Sequence, residues 1–346
     1  MRVRSGMTRA IDPTTPVPLG GSGLTVTRLG LGTGSLGGLF EPVEEEAAHE
    51  AVQRAHQMGV RTFDTAPLYG FGLAERRLGH ALSAFPRASY VLSTKVGRLL
   101  RRDAPPDHMA RTYYYPKVDS DLDPVFDFSY DATMASFEES LERLGIDRVD
   151  IVHIHDPDDH WAQAISGAYP ALHELRRQGV ISAVGAGMMQ AGMLARFARE
   201  GDFDCFLVAG RYTLLDHSAL PELLPLCLAK GIRLFIGSPY NTGLLIDPGP
   251  DSTFDFMPAP AEVVERARRL RAVCLRHEVP LMAAAIQFPF AHPAVATVLT
   301  GARSVAELEE NARMMRVEIP PDLWVELRDT GLVPPEAPTP DAPLRP

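Results

Sequence analysis

Short runs of apolar, often β-branched residues alternate along the chain with longer segments whose apolar residues recur every three or four positions. The first pattern is typical of buried strands and the second of amphipathic helices. Helix ends are further marked by Gly59, Gly145, Gly179 and Gly231, each of which comes shortly before a strand-like run. The chain therefore predicts a regular succession of strands and helices.

Eight of the apolar runs have the length and composition of strands. They are residues 28–31, 61–64, 90–95, 149–154, 181–184, 205–208, 233–236 and 296–299. The predicted helices between them are residues 44–58, 74–84, 132–144, 171–178, 220–230 and 261–277. Strands separated by helices pair in parallel, and eight such units close into a barrel. We therefore predict an α/β protein, a single (β/α)8 TIM barrel, rather than an open doubly wound sheet.

Three segments stand outside this alternation. Residues 17–27 are predicted to form a hairpin before the first strand, and long inserts over residues 97–130 and 239–260 follow the third and seventh strands. Both inserts leave the carboxyl ends of barrel strands, where barrel active sites lie, so we expect them to be substrate or cofactor loops. The predicted domains are a flexible segment over residues 1–16, the barrel over 17–320 and a proline-rich tail over 321–346.

Composition and charge reduce the number of possible functions and partners. The formal net charge is −10, which argues against a nucleic-acid partner and against an anionic membrane surface. Three cysteines are too few for a disulfide framework, and we find neither a signal peptide nor an uninterrupted membrane span. We expect a cytoplasmic protein, a monomer or weak homo-oligomer, that acts on a small-molecule substrate.

A glycine motif follows the first predicted strand. Residues 32–37 read G-x-G-x-x-G, and Gly32, Thr33 and Gly34 begin it. This spacing occurs at the dinucleotide site of open doubly wound sheets, and Asp64 lies where a ribose-binding acid would. However, no helix begins within the motif, so we favour a flexible loop at the mouth of a barrel.

Four polar residues follow three consecutive strands. Asp64 ends the second strand, Tyr69 lies in its loop, Lys95 ends the third strand and His155 follows the fourth. Parallel strands bring these side chains to one rim, where they suit proton transfer to a carbonyl oxygen. We expect Lys95, paired with Asp64, to stay protonated and to lower the pKa of Tyr69. The imidazole of His155 is expected to orient the substrate.

The histidine strand also suggests a metal. His153 and His155 alternate onto the same face of the strand, as metal ligands would. The later strands offer no further ligands, so we predict no metal site. His153 is instead expected to pack inside the barrel, hydrogen-bonded to a neighbour.

At these residues the sequence resembles the aldo-keto reductases. Residues 63–70 with Glu75, Leu78 and Gly79 match the family's D-x-A-x-x-Y-G-x-x-E-x-x-L-G signature, residues 93–95 match its lysine strand, and residues 150–157 match its histidine strand. The resemblance covers residues 17–315 and implies a barrel that binds a nicotinamide cofactor. It places the family's catalytic tetrad on Asp64, Tyr69, Lys95 and His155.

Within the family, the chain is similar to the branch of D-threo-aldose and L-fucose dehydrogenases, which also includes pyridoxal 4-dehydrogenase. The supporting stretches are residues 95–98, 128–131, 136–141 and 209–216. The resemblance implies oxidation of the C1 hydroxyl of an aldose to the lactone. The alternatives are a pyridoxal or general aldehyde enzyme and, in another class, a non-catalytic cofactor-binding regulatory subunit.

The resemblance also implies the cofactor contacts. The residues expected to bind the cofactor are Gly32, Thr33, Gly34, Gly187, Met188, Gly237, Ser238, Tyr240, Asn241, Thr242, Gly243, Gly301, Ala302, Arg303, Glu307, Glu310 and Asn311. The Ser-Asn pair that holds the carboxamide in many reductases is absent after the fifth strand, so glycine backbone groups are expected to serve. Gly301 and Glu307 stand where members specific for NADP have cations. We therefore expect NAD to be preferred, with NADP as the alternative.

Overall fold

The computed structural model describes residues 10–343 and contains a closed barrel of eight parallel strands. The strands are β1 (Pro16–Pro18), β2 (Thr25–Thr27), β3 (Leu29–Gly32), β4 (Thr62–Asp64), β5 (Val91–Val96), β6 (Arg98–Arg101), β7 (Asp123–Phe126), β8 (Ile151–His155), β9 (Ala183–Met188), β10 (Cys205–Ala209), β11 (Arg233–Gly237), β12 (Thr253–Phe254), β13 (Met257–Pro258) and β14 (Val295–Gly301). Around the barrel the order is β3, β4, β5, β8, β9, β10, β11 and β14, and β14 returns to pair with β3. The predicted (β/α)8 barrel is confirmed, and each predicted strand contributes to it.

Helices pack around the outside of the barrel. They are α1 (Glu45–Gln57), α2 (Leu73–Leu82), α3 (Tyr130–Leu144), α4 (Trp161–Gln163), α5 (Tyr169–Arg177), α6 (Ala191–Glu200), α7 (Leu223–Lys230), α8 (Ala261–Arg276), α9 (Leu281–Gln287), α10 (Val305–Met315) and α11 (Pro321–Asp329). Gly145 and Gly231, in the left-handed region, end α3 and α7 as the sequence indicates. The sequence analysis did not predict α4, α6, α9, α10 or α11.

The structure differs from both predicted terminal boundaries. Helix α11 lies in the predicted tail, yet its Trp324 and Leu327 are buried in the main core together with Leu332 and Val333. The barrel domain therefore extends beyond residue 320. At the other end, the Ile11 amide donates to the Met315 carbonyl at 3.0 Å, so the described part of the predicted flexible segment is bonded to the barrel. Residues 1–9 of that segment lie outside the described residues.

The hairpin and the inserts occupy opposite ends of the barrel. Strands β1 and β2 pair antiparallel, as predicted, and Val17, Leu19 and Val26 pack with apolar side chains of the barrel strands at the amino-terminal end. The insert after β5 forms the antiparallel pair β6–β7, and the insert after β11 forms the pair β12–β13. Both inserts rise from carboxyl ends of strands, where they surround the cavity described below.

No helix within residues 10–343 has the length and apolar character needed to cross a membrane.

The signature glycine of α2 makes a close helix crossing. A Cβ on Gly79 would lie 1.9 Å from the carbonyl oxygen of Leu144, at the end of α3. Because that atom belongs to the backbone, the helices would have to separate. We expect Gly79→Ala to lower the free energy of unfolding by about 3 kcal/mol, the upper end of the usual cost of overpacking.

Gly192→Ala is the matched control, because Gly192 lies in α6 and a Cβ there meets nothing within 4 Å. Alanine is the better helix former, so this variant should be as stable as the wild type or slightly more stable. Denaturant unfolding of both variants gives the comparison, and equal stabilities would show that the α2–α3 crossing is not tight.

Candidate active site

A buried ion pair joins the ends of two neighbouring barrel strands. The Lys95 ammonium, on β5, lies 2.6 Å from Oδ2 of Asp64, the last residue of β4, and both side chains are almost fully buried. Lys95 also donates to the Thr65 carbonyl at 2.8 Å, and the Ser93 hydroxyl donates to Oδ1 of Asp64 at 2.7 Å. Each charged group thus has a hydrogen-bond partner besides the other, which offsets part of the cost of burying two charges.

Tyr69 lies in the turn after β4, directly beside this pair. The Lys95 ammonium is 4.6 Å from the centre of the Tyr69 ring. The turn is fixed by glycines, since a Cβ on Gly70 would lie 2.2 Å from the Gly37 carbonyl oxygen and Gly70 has a φ of +59°. The tyrosine of the signature therefore depends on the glycine that follows it.

The protein environment favours the protonated phenol. Burial raises the pKa of Tyr69 well above its ordinary value, the carboxylates of Asp64 and Asp156 raise it further, and Arg98 lowers it. The charge of Lys95 is neutralised by Asp64 at 2.6 Å. The direction of this shift is opposite to the predicted lowering of the Tyr69 pKa.

His155, the last residue of β8, completes the group at the rim. Its ring meets the Tyr69 ring edge to face, with centroids 6.0 Å apart. Burial holds the pKa of His155 well below its ordinary value, and the cations of Arg98 and Lys95 act in the same direction. The imidazole is therefore neutral at physiological pH and acts as a hydrogen-bond donor or acceptor rather than as a cation.

His153 lies inside the barrel, as predicted. Its ring faces Phe235 and leaves room only for glycine at Gly185, where a Cβ would lie 2.2 Å from Nδ1. Within residues 10–343 neither ring nitrogen has a hydrogen-bond partner, so the predicted bond to a neighbour is not formed. Burial, with a contribution from Lys95, lowers the pKa of His153 to about 3.

His153 and His155 were also weighed as metal ligands in the sequence analysis. In the part of the chain that the structure describes, no three His, Cys, Asp or Glu side chains are grouped as metal ligands would be.

The site opens into a cavity of about 440 Å³ at the carboxyl ends of the strands. All four residues of the predicted tetrad line it. Next to them, the adjacent strands β11, β14 and β3 each end on a glycine that also lines the cavity. We call Gly237, Gly301 and Gly32 together the glycine shelf. Because these three residues have no side chains, the shelf leaves room for a flat ring such as nicotinamide.

Most of the residues expected to bind the cofactor line this cavity. They are Gly32, Gly34, Gly187, Met188, Gly237, Ser238, Tyr240, Thr242, Gly243, Gly301, Arg303 and Glu307. The hydroxyl of Ser238 and Nη1 of Arg303, which makes no hydrogen bond within residues 10–343, supply the kinds of polar group that a carboxamide and a pyrophosphate require. The residues present therefore fit a nicotinamide dinucleotide.

The other expected cofactor residues do not line the cavity; they are Thr33, Asn241, Ala302, Glu310 and Asn311. Asn311 is buried, accepts a hydrogen bond from the Tyr240 hydroxyl at 2.9 Å and donates to the Gly301 carbonyl at 3.2 Å. Asn241 is likewise buried and donates to the Gly210 carbonyl. Both asparagines hold the loops that line the cavity, and Glu310 pairs instead with Arg313 on the surface of α10.

The structure adds aromatic walls that the sequence analysis did not assign. Tyr114 and Tyr115 from the first insert, Phe256 from the second and Phe40 from the loop after β3 line the cavity. The Tyr114 and Phe256 rings are 5.0 Å apart, so the two inserts meet across its mouth. The run of three tyrosines at residues 113–115 was the signal available for this wall.

A charged pair beside His155 was also missed. Asp156 lines the cavity, and its Oδ2 accepts a hydrogen bond from Nη2 of Arg98 at 2.5 Å. The same oxygen is 3.4 Å from Nε2 of His155. The two charged residues are 58 positions apart in sequence.

At the far end of the cavity, Glu307 is paired with Arg303. Its Oε1 accepts from Nε of Arg303 at 3.1 Å and from Nη2 at 2.9 Å, and its Oε2 accepts from the Arg303 amide at 2.8 Å. Ser304 caps α10 by accepting from the Glu307 amide. The carboxylate thus holds the cation that would otherwise be free to meet an anion.

The cavity lined by the predicted tetrad and by the expected cofactor residues agrees with the comparison to known proteins. Residues 28–330 match the Aldo/keto reductase family. The chain therefore belongs to the aldo/keto reductase family of oxidoreductases, whose members use NAD(H) or NADP(H).

Within that family the chain is similar to two enzymes of different specificity. It is 40% identical to D-threo-aldose 1-dehydrogenase of a Pseudomonas species, over 90% of this chain and 96% of the relative. It is 39% identical to pyridoxal 4-dehydrogenase of Microbacterium luteolum, over 91% and 97%. Among solved structures, the holo form of an aldo-keto reductase from Bacillus halodurans superposes with a TM-score of 0.71 at 25% identity, over 87% of this chain and 91% of that one.

Proposed function

We propose that the protein oxidises the C1 hydroxyl of an aldose to the lactone. The observation that carries the proposal is the convergence of Tyr69, His155 and the Asp64–Lys95 pair on one cavity beside the glycine shelf. This arrangement serves a reaction in which a proton and a hydride leave the same carbinol. The similarity to D-threo-aldose 1-dehydrogenase supports an aldose of the D-threo type, and the L-fucose type stays a prediction from the sequence.

The side chains divide the proton chemistry between them. Tyr69, as phenolate, accepts the proton of the C1 hydroxyl, and the Lys95 ammonium stabilises the phenolate while Asp64 holds Lys95 in place. His155, neutral because it is buried, hydrogen-bonds the same oxygen and orients the alcohol. The nicotinamide, when bound, supplies the acceptor for the C1 hydride. In the reverse direction Tyr69 returns its proton to the carbonyl oxygen.

A second substrate class is favoured by the walls of the cavity. Tyr114, Phe256 and Phe40 offer flat apolar faces, which suit an aromatic aldehyde such as pyridoxal as well as a sugar ring. The similarity to pyridoxal 4-dehydrogenase supports this alternative. A non-catalytic regulatory subunit is the third candidate, and the intact group at Tyr69 argues against it.

Formation of reduced nicotinamide across a panel of aldoses and pyridoxal separates these functions. We expect aldoses with the D-threo or L-fucose configuration to give the highest kcat/KM. Preference for pyridoxal would establish the second class, and failure of every substrate with both cofactors would revive the non-catalytic one. The cytoplasmic location and the monomeric or weakly oligomeric state stay predictions from the sequence.

We further propose that NAD is preferred to NADP. A 2′-phosphate at the Arg303 end of the cavity would meet the Glu307 carboxylate, and the Arg303 cation is already paired with that carboxylate. We expect Glu307→Arg to move the ratio of kcat/KM for the two cofactors toward NADP by about tenfold, equivalent to ~1.4 kcal/mol. Kinetics at saturating sugar give the ratio.

Glu309→Gln is the matched control for this substitution. Glu309 lies on the same helix but pairs with Arg54 and does not line the cavity, so its loss should leave the ratio unchanged. A wild-type ratio that favours NADP would contradict the proposal, and an unchanged ratio in Glu307→Arg would show that Glu307 does not face the 2′ position.

A further inference from the structure

Asp156 is held in an unusual backbone conformation beside the reacting groups. It follows His155 directly, has a φ of +42°, and donates its amide to the Gly187 carbonyl at 3.0 Å. This left-handed region is rare outside glycine, and aspartate and asparagine are among the few other residues that tolerate it. The turn brings the carboxylate back to the cavity, with Oδ2 at 3.4 Å from Nε2 of His155.

Arg98 orients this carboxylate. Burial raises the pKa of Asp156 above its ordinary value, and the Arg98 cation opposes that rise only in part. Arg98 is itself buried, with its guanidinium 4.7 Å from the centre of the Phe126 ring, so its position is constrained by packing. Its hydrogen bond goes to Oδ2 of Asp156. The second oxygen, Oδ1, accepts no hydrogen bond from any residue between 10 and 343.

An oriented carboxylate oxygen without a protein donor, next to the group that binds the reacting hydroxyl, suits a second hydroxyl of the substrate. Asp156 accepts only when ionised, so it selects a donor on the ligand. In an aldose the carbon next to C1 carries such a hydroxyl. A simple aldehyde or alcohol that lacks it would leave Oδ1 of this half-buried carboxylate without that donor, and a site built to hydrogen-bond a substrate hydroxyl discriminates against a ligand without one.

We infer that Asp156, oriented by Arg98, is a specificity-determining residue that accepts a hydrogen bond from the substrate hydroxyl adjacent to the reacting one. The inference rests on the proposed aldose oxidation and deepens it, because it names the feature of the substrate that the site reads. None of the tetrad residues supplies this discrimination, since Tyr69 and His155 are engaged with the oxygen on C1.

The test compares an aldose with its 2-deoxy counterpart in the wild type and in Asp156→Asn. Asparagine tolerates the left-handed backbone, and its amide oxygen can accept from Arg98, which turns the NH2 group toward the cavity. We expect the wild type to favour the aldose over the 2-deoxy sugar by about 10- to 100-fold in kcat/KM, the range for a hydrogen bond to a charged group. In Asp156→Asn the preference should fall to about threefold or less.

The preference is the ratio of two kcat/KM values measured with the same enzyme preparation, so partial loss of folded protein does not alter it. Asp158→Asn is the control, because this half-buried carboxyl lies two residues further on and does not line the cavity; its preference should equal that of the wild type. If Asp156→Asn slows both sugars equally, Asp156 acts only through His155 and the inference is overturned. A wild type that oxidises no aldose overturns the proposed function and the inference with it.

Discussion

Replacing Tyr69 with phenylalanine is expected to lower kcat by about 10³- to 10⁴-fold, the upper part of the range for general acid–base catalysis. The substitution removes only the hydroxyl that exchanges a proton with the substrate oxygen. The ring remains beside Lys95 and His155, so the walls of the cavity are unchanged. Cofactor affinity, measured by fluorescence titration, should stay close to that of the wild type.

Tyr115→Phe is the matched control for this prediction. Tyr115 is also a buried phenol that lines the cavity, but it stands outside the predicted tetrad. Its loss should change kcat by less than about tenfold, below the range expected for an acid–base group. Retention of more than about a tenth of wild-type kcat by Tyr69→Phe would remove Tyr69 from the proton-transfer role.

The second large effect is a loss of stability, which we expect for Lys95→Met because this substitution leaves the carboxylate of Asp64 buried without its cation. Breaking a buried ion pair on one side costs about 3–5 kcal/mol of unfolding free energy, because the remaining charge is uncompensated. The hydrogen bond from Ser93 persists and recovers part of this cost. Adding Asp64→Asn should restore most of the stability, and equal stability of the single and double variants would contradict the account.

The same substitution should change the pH dependence of oxidation. The environment raises the pKa of Tyr69, so its phenol ionises only at alkaline pH. Because the phenolate is the form that accepts a proton in oxidation, kcat/KM should increase along an alkaline limb of the pH profile. Without Lys95 the carboxylate of Asp64 opposes ionisation of the phenol more strongly, so the limb should move to higher pH. If an active Lys95→Met enzyme shows the same alkaline rise of kcat/KM as the wild type, that rise belongs to the titration of a group other than Tyr69.

Hydrophobic periodicity predicted the barrel well because each barrel strand is buried on both faces. It failed at α9, where nearly every residue is buried and no polar face marks a helix. It also failed at α11, which was included in the tail because of the prolines beyond residue 333, although Pro321 itself is compatible with the first turn of a helix. Helix α10 carried a readable signal, the capping pair Ser304 and Glu307.

The proximity of the four residues of the predicted tetrad could be predicted for a different reason. Its members lie at the ends of consecutive parallel strands, so order along the chain determines their proximity. Arg98 and Asp156 are brought together only because β5 and β8 are neighbours and because Asp156 adopts a left-handed turn. Phe256 likewise reaches the cavity from the two-residue turn between β12 and β13, where it has a φ of +67°. Such positions depend on tertiary contacts that local sequence does not encode.

The central claim is that a proton and a hydride leave C1 of an aldose at the Tyr69 site. The most direct measurement supplies the enzyme with an aldose deuterated at C1 and analyses the reduced nicotinamide by mass spectrometry. We expect the reduced cofactor to carry one deuterium from the sugar and the sugar product to be the lactone. Turnover of the labelled aldose to an unlabelled reduced cofactor would show that the hydride comes from another carbon and would contradict the account.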